Sequence, residues 1–279
     1  MAIHHVLIPL DGSELSQRVL APLRSMLGAD EVSRVTLLRV LDDSDDEAAA
    51  SAQLESLASQ LSAGGVEAAQ RVVQGDPSEE ILRVADELGV DLVVMATHGR
   101  SGLKRILRGS VAERVLRRCP RPLLLWNPTV LRTGEPRHEG LRRILVPHDG
   151  SELAGRILDP AAALARLFDS AIVLFKVENF ATDGGRGKLR TEEEVAASLL
   201  PIKERLEAAG VRDVQVRAAI GGEADSILDA LETQEIDLLA MTTHGASGVS
   251  RWWFGSVAEA LVRSASCPLF VLRVGSSNS

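Results

Sequence analysis

Short apolar segments alternate with longer amphipathic segments along the whole chain. In the first half, five apolar segments predict β-strands at Ile3–Leu10, Val35–Val40, Ala68–Val73, Leu92–Met95 and Leu123–Trp126. The apolar residues between them recur at helical spacing and predict helices at Glu14–Leu27, Glu47–Ala63, Ser78–Leu88 and Val111–Arg118. This alternation is typical of βαβ units, in which each helix connects two parallel strands.

The second half shows the same alternation. Its apolar segments predict strands at Ile144–His148, Ala171–Val177, Val214–Ala219, Leu238–Met241 and Leu269–Leu272. The second helix of this half, Glu192–Ala209, contains Pro201. Because proline lacks a backbone N–H and clashes with the preceding turn, we expect a kink or a break there.

Two motifs occur once in each half and indicate a duplicated domain. Residues 7–15 read LIPLDGSEL and residues 145–153 read LVPHDGSEL, identical at seven of nine positions. The segments Thr97–Gly99 and Gly109–Glu113 return as Thr243–Gly245 and Gly255–Glu259. A period of about 140 residues is far too long for a solenoid repeat.

We therefore predict two domains, residues 1–127 and 141–279, joined by a linker at residues 128–140. Between Asn127 and Gly140 the sequence has two prolines, a glycine and mixed charges, a composition typical of linkers. For each domain the pattern predicts a doubly wound α/β fold. Its five-stranded parallel sheet is expected to have the order 3-2-1-4-5, with helices on both faces.

Composition excludes several classes of function. The net charge is −8 at pH 7, so no global positive field draws the chain to nucleic acid or to an anionic membrane. No apolar run approaches the roughly 18–20 residues of a membrane helix, and the N-terminal sequence does not resemble a signal peptide. Two cysteines do not support a disulfide framework, and no Cys/His/Asp cluster has zinc spacing. The predicted location is the cytoplasm.

Candidate ligand-binding residues follow the first and fourth strands of each half. In a doubly wound sheet, ligands bind beyond the carboxyl ends of the strands, where the strand order reverses. Asp11 follows strand one, and a glycine-rich segment after strand four leads to a helix start at Gly109-Ser110. Glycines admit a phosphate close to the backbone, and a helix N-terminus presents N–H groups to it. The Asp11 carboxylate can accept hydrogen bonds from a ribose hydroxyl or an adenine amino group.

In these residues the chain resembles a tandem universal stress protein. The resemblance extends over both copies almost end to end. Nucleotide-binding members of that family carry G-x2-G-x9-G-[S/T] after strand four and an aspartate after strand one. This chain has Ala96-x2-Gly99-x9-Gly109-Ser110 and Thr242-x2-Gly245-x9-Gly255-Ser256. The spacing and the last three positions match in both copies, whereas Ala96 and Thr242 replace the first glycine.

The resemblance implies an ATP-type ligand, with or without Mg²⁺, and a binding set in each copy. Asp11 and Asp149 would hold the ribose and the adenine edge, and the backbone of Val40 and Val177 would lie near the base. The phosphates would be bound by Gly99, Gly109, Ser110 and Val111 in the first copy and by Gly245, Gly255, Ser256 and Val257 in the second. On the ribose side, Ala96 adds only a methyl group, whereas Thr242 either crowds the nucleotide or offers it a hydroxyl.

The resemblance also implies a way for the two copies to meet. Family members pair their fifth strands antiparallel across a two-fold axis, and a tandem chain can do this internally through Leu123–Trp126 and Leu269–Leu272. We therefore expect an intramolecular pseudo-dimer of the two repeats. A further homodimer of chains is compatible with this arrangement.

The expected function is that of an adenine-nucleotide-binding stress-response regulator with little or no hydrolysis. We identify no catalytic residues, because a kinase-like or motor-type NTPase needs a P-loop lysine or comparable clamp with metal-binding acids, which Asp11 alone does not supply. Two alternatives remain: a nucleotide-free dimerisation module of the same fold, and a slow ATPase or nucleotidyl transferase. The Asp-Gly-Ser triplet also makes a good turn and helix cap without any ligand.

The copies differ in charge near the expected phosphates. The first glycine-rich segment contains Lys104, Arg105 and Arg108, whereas the second keeps Arg251 beside Ser250, Trp252, Trp253 and Phe254. Because positive charge favours phosphate binding, one hypothesis is that the first copy binds a nucleotide triphosphate more tightly. The alternative is that these charges belong to a solvated surface.

Overall fold

The chain divides into two compact units, residues 2–140 and 141–279. The computed structural model describes residues 2–20, 32–96, 111–126, 141–179, 190–244 and 255–274. The predicted linker, residues 128–140, lies outside the described residues. No helix within the described ranges combines the length and the apolar character that crossing a bilayer requires.

The first unit is an α/β unit built on five parallel strands. Its elements are β1 His5–Pro9, α1 Glu14–Gln17, β2 Arg34–Leu41, α2 Glu47–Ser62, β3 Glu67–Gln74, α3 Pro77–Glu87, β4 Leu92–Ala96, α4 Val111–Arg118 and β5 Leu123–Trp126. The strands lie in the order β3-β2-β1-β4-β5. Right-handed crossovers then place α1 and α2 on one face of the sheet and α3 and α4 on the other. The predicted fold class and strand order are confirmed.

The second unit repeats this architecture. Its elements are β6 Arg143–Pro147, α5 Glu152–Gly155, α6 Leu158–Phe168, β7 Ala171–Glu178, α7 Glu192–Ala197, α8 Leu200–Ala208, β8 Val214–Ile220, α9 Glu223–Thr233, β9 Leu238–His244, α10 Ser256–Ser264 and β10 Leu269–Val274. Every neighbouring pair is parallel, in the order β8-β7-β6-β9-β10.

The first strand of each unit lies between its second and fourth strands and carries the centre of the core. Val6 stands opposite Val35 on β2 and Leu92 on β4, and all three are fully buried. Ile144 and Leu238 have the same relation on β6 and β9. Burial on both faces explains why these strands are continuous apolar runs rather than alternating patterns.

The predicted single helix after the first strand is wrong. Helix α1 ends at Gln17, and in the second unit α5 ends at Gly155 before α6 begins at Leu158. Pro160 stands in the first turn of α6, and the sequence has Pro22 at the equivalent place in the first copy. In the second unit the Pro160 ring would collide with the carbonyl of Arg156 in a continuous helix, so the helix that begins after Asp-Gly-Ser ends at Gly155 and a new helix begins at Leu158.

The break predicted at Pro201 is confirmed. Helix α7 ends at Ala197, and α8 begins at Leu200 with Pro201 in its first turn. Proline is tolerated at that position because the first N–H groups of a helix have no partner within the helix. Strand β9 is longer than predicted and reaches His244, which stands opposite Val274 on β10.

Candidate functional site

The candidate residues gather at one edge of each sheet. β1 and β4 are neighbours, as are β6 and β9, and each pair is parallel. Their carboxyl ends therefore lie side by side at the point where the strand order reverses. Asp11 and Ala96 occupy this edge in the first unit, and Asp149 and Thr242 occupy it in the second.

Asp11 stabilises the turn that joins β1 to α1. Its Oδ1 accepts hydrogen bonds from the Ser13 N–H at 2.9 Å and from the Ser13 hydroxyl at 2.6 Å. The Ser13 hydroxyl in turn accepts from the Ser16 N–H and caps α1, as its position before the helix predicts. Gly12 between them has φ +83°, a conformation that glycine adopts at little cost. Asp11 itself remains half-buried.

Asp149 occupies the equivalent turn in the second unit and is exposed. Its Oδ1 accepts from the Ser151 N–H at 2.8 Å, and Gly150 has φ +96°. Burial by itself disfavours the Asp149 carboxylate, but the hydrogen bonds from Ser151 and the electrostatic effect of His148 outweigh burial, so the pKa of Asp149 is lowered. The group is therefore an ionised hydrogen-bond acceptor at neutral pH.

The helix after β9 begins at a glycine. Gly255 is the N-cap of α10, and no side chain of the described residues caps this helix. Gly255 has φ −60°, which any residue can adopt, and a β-carbon added there would meet no described atom within 4 Å. Neither a strained backbone conformation nor close packing against the described residues therefore requires a glycine at this position.

The structure places most of the other predicted residues close to the same edges. Val40 and Val177 are half-buried near the ends of β2 and β7, and Val111 is the first residue of α4. Ser256 and Val257 are the first residues of α10. The following lie outside the described residues: Gly99, Gly109, Ser110 and Gly245, with Lys104, Arg105, Arg108 and Arg251. The roles assigned to these residues, and the charge difference between the copies, stay predictions.

Sequence reasoning missed Arg39, which is 4% exposed and lies behind the Asp-Gly-Ser turn. Its Nη2 donates to Asp45 at 3.0 Å, and its guanidinium lies so close to Gly12 that a β-carbon there would clash with it. In the second unit Lys176 holds the equivalent position, with Nζ 3.9 Å from where a β-carbon of Gly150 would be. A positively charged residue directly precedes both Val40 and Val177 in the sequence. This shared pattern could have identified Arg39 and Lys176.

Sequence reasoning also passed over His148, which replaces Leu10 of the first copy. Its ring is buried, and its Nδ1 accepts from the Gly150 N–H at 2.9 Å, so the neutral ring carries its proton on Nε2. Nε2 has no hydrogen-bond partner among the described residues. Burial lowers the pKa of His148, and nearby Lys176 and Arg205 act in the same direction.

Comparison with known proteins agrees with this architecture. The family model described as "Universal stress protein family" matches twice, at residues 2–126 and 140–273. The chain is 37% identical over 73 residues to universal stress protein MJ0577 of Methanocaldococcus jannaschii, a match that covers 26% of this chain and 45% of that protein. It is 29% identical over 153 residues to universal stress protein MJ0531 of the same organism, covering 52% and 88%.

A solved structure resembles the chain over nearly its full length. The universal stress protein from Archaeoglobus fulgidus DSM 4304 has a TM-score of 0.73 and 25% sequence identity, with 96% of this chain and 98% of that chain covered. The two matches to the family model together span most of the sequence. This chain therefore belongs to the universal stress protein family, with two family domains in tandem.

Proposed function

We propose that the protein binds adenine nucleotides, ATP in particular, at the carboxyl edges of its two sheets and acts as a stress-response regulator. The observation that carries the proposal is the start of α10 at Gly255, which no described side chain caps, in the connection that follows β9, the neighbour of the strand that leads into the Asp149 turn. The first unit repeats the Asp-Gly-Ser turn, with α4 following the neighbouring strand. Nucleotide occupancy would be the signal that the protein transmits.

The phosphates fit the helix starts. The N–H groups of Ser256, Val257 and Ala258 lie in the first turn of α10, where a helix has unpaired donors and a favourable dipole. No described atom lies within 4 Å of a β-carbon built at Gly255, which leaves room for a phosphate to approach these N–H groups. Mg²⁺ would accompany the phosphates and neutralise part of their charge.

The ribose and base fit the aspartate turns. Asp149 is an ionised acceptor with a lowered pKa, so it can accept hydrogen bonds from ribose hydroxyls or an adenine amino group. Thr242 is half-buried on the neighbouring strand β9 and carries a hydroxyl that a nucleotide could use. These contacts would orient the nucleoside while the helix holds the phosphates.

We expect binding with little or no hydrolysis. A general base works best when its pKa lies near the operating pH, and the Asp149 carboxyl has a pKa below its usual value. That makes Asp149 a weak base for activating water. Binding without efficient turnover suits a protein whose occupancy is the signal, and we place that role in the cytoplasm.

The Gly255→Ala variant is expected to lose nucleotide affinity at a modest cost in stability. An alanine N-cap is about 1 kcal/mol less favourable than a glycine N-cap, a loss that leaves the protein folded. Its methyl group would nevertheless stand where the phosphate approaches, so we expect about tenfold weaker ATP binding by isothermal titration, in a background that carries Asp11→Ala. Gly222→Ala, at the N-cap of α9, is the matched control and should leave affinity unchanged. Unaltered ATP affinity in both Gly255→Ala and the larger Gly255→Val would contradict the prediction.

The protein purified without added nucleotide provides the most direct test. Denaturing the purified protein and analysing the released small molecules by mass spectrometry is expected to show ATP. If neither co-purification nor titration with ATP reveals binding, the nucleotide-free dimerisation module becomes the better account. Phosphate release well above that of a variant lacking Gly109 and Gly255 would instead indicate a slow ATPase.

A further inference from the structure

Arg39 carries hydrogen-bond donors that no other described residue uses. Its side chain is 5% exposed and forms an ion pair with Asp45, which is itself 11% exposed. Among the described residues, Nε and Nη1 of Arg39 have no hydrogen-bond partner. A buried donor without a partner destabilises the folded protein, so such a group in a binding region is a place where a ligand can supply the acceptor.

The position of Arg39 identifies the part of the ligand that it can reach. Arg39 lies near the end of β2, whereas the helix start expected to hold phosphates follows β4. β1 lies between these two strands and ends at the Asp11 turn. A nucleotide whose phosphates lie on the β4 side therefore extends past the Asp11 turn and directs its base toward β2.

The charges around Arg39 favour a neutral acceptor over a second phosphate. Asp45 already pairs with the guanidinium, and Asp11 precedes the glycine that covers it. Five of the six residues from Asp42 to Glu47 are acidic. Another anionic group would meet this surplus of carboxylates, whereas a heterocyclic nitrogen accepts a hydrogen bond without adding charge.

Adenine offers the complementary pair of groups. Its N6 amino group is a donor, and the ring nitrogens N1 and N7 on either side of that group are acceptors. The Asp11 carboxylate accepts hydrogen bonds, and the Arg39 guanidinium donates them. A base that places its amino group toward Asp11 would therefore present a ring nitrogen toward the guanidinium.

We propose that Arg39 determines base specificity in the first unit by donating a hydrogen bond to the purine ring nitrogen beside the amino group. The inference rests on the proposed nucleotide binding and adds the residue that recognises the base. Gly12 covers the guanidinium, so the turn shifts when the base enters, and glycine has the backbone freedom for that shift. Arg39 thereby gains a partner for a donor that has none among the described residues.

The second unit has no arginine at the position equivalent to Arg39. Lys176 replaces Arg39, is only half-buried, and its Nζ already donates to the Ser198 hydroxyl at 3.2 Å. An ammonium on a flexible stem is also a less directional donor than a guanidinium. The second unit is therefore expected to discriminate weakly among purine analogues, and it supplies an internal control.

The test compares ATP with 7-deaza-ATP and 1-deaza-ATP, in which C–H replaces one ring nitrogen. Titration uses the full chain carrying Asp149→Ala, which confines tight binding to the first unit. We expect one of the two analogues to bind about tenfold more weakly than ATP, because it lacks the acceptor for a charged donor. The chain carrying Asp11→Ala, which reports on the second unit, should bind both analogues within about twofold of ATP.

Substitution of Arg39 then shows whether this residue causes the difference in affinity between ATP and the analogues. In the Asp149→Ala background, Arg39→Met should bind ATP and both analogues with equal affinity, whatever the absolute loss. Arg34→Met, on the same strand, should preserve the ratio of the affinities for ATP and for the weaker analogue, and so should Lys176→Met. The ratio of affinities separates base recognition from a structural role, because a merely loosened site weakens all three ligands alike.

The outcomes separate this inference from the proposed function. If ATP binds the protein that retains Arg39, and both analogues bind it with the same affinity as ATP, then Arg39 does not recognise the base. The proposed nucleotide binding still stands in that case. The same conclusion follows if Arg39→Met keeps the discrimination. If ATP does not bind the wild-type chain, both proposals fall. Should Arg39→Met fail to fold, the two analogues still decide the question on the protein with Arg39 intact.

Discussion

Replacing Asp45 by alanine is expected to destabilise the protein by about 3 kcal/mol, because the substitution leaves the Arg39 guanidinium buried without its carboxylate. The ion pair is almost closed to water on both sides, so little solvent can replace the lost partner. Asp45 also accepts a hydrogen bond from the Asp42 N–H at 3.1 Å, which is lost as well. Urea denaturation followed by circular dichroism measures the free energy of unfolding.

The same strand provides the control for this prediction. Arg34 and Glu67 form an ion pair whose side chains are 51% and 64% exposed. Exposed pairs contribute about 0–1 kcal/mol, so Glu67→Ala should change stability far less than Asp45→Ala. The double variant Arg39→Met with Asp45→Asn should lose less than the two single changes combined, because it leaves no unpaired charge. Equal losses for Asp45→Ala and Glu67→Ala would show that burial of the pair is energetically irrelevant.

Replacing His148 by leucine is expected to stabilise the protein, by about 1 kcal/mol at neutral pH. The substitution removes the buried Nε2–H, which has no partner among the described residues, and inserts the residue that the first copy has at Leu10. The loss of the hydrogen bond from the Gly150 N–H offsets part of this gain. The matched change in the other direction, Leu10→His, should destabilise the first unit.

The gain from His148→Leu should grow as the pH falls. The pKa of His148 is lowered from 6.5 in the folded protein by burial, so below about pH 6.5 the unfolded chain binds a proton that the folded chain resists. Wild-type stability therefore falls with decreasing pH, and the leucine variant lacks this contribution. His5, whose pKa is lowered by burial and by Arg34, keeps a similar dependence in both proteins. A stability difference that is the same at pH 7.5 and pH 5.5 would refute this interpretation of His148.

These two predictions concern the same strand ends that hold the candidate site. Arg39 and His148 are buried polar groups with donors unused among the described residues, directly behind the two Asp-Gly-Ser turns. Proteins tolerate such groups where function requires them, even though apolar residues would be more stable. Removing either group should therefore reveal whether its cost in stability is matched by a contribution to ligand binding.

Much of the fold could be predicted because its determinants are local. Continuous apolar runs between amphipathic segments predicted ten strands at nearly their observed positions, and Pro201 correctly predicted the break between α7 and α8. Pro22 lies inside the helix predicted at Glu14–Leu27, and the observed helix α1 ends earlier, at Gln17. Strand β9 was predicted too short because Thr242 and Thr243 look polar in sequence, while pairing with β10 holds them in the sheet.

The sequence by itself determined the duplication, the doubly wound fold, and the motif residues that lie at the carboxyl edge of each sheet, since spacing and periodicity are properties of the chain alone. Only the tertiary structure decided which side chains stand behind those residues. Arg39 is 28 positions from Asp11 in the sequence, yet parallel pairing of β1 with β2 brings it against Gly12. Burial of that guanidinium, and of the His148 ring, arises from contacts between segments far apart in the chain, which no local pattern of residues encodes.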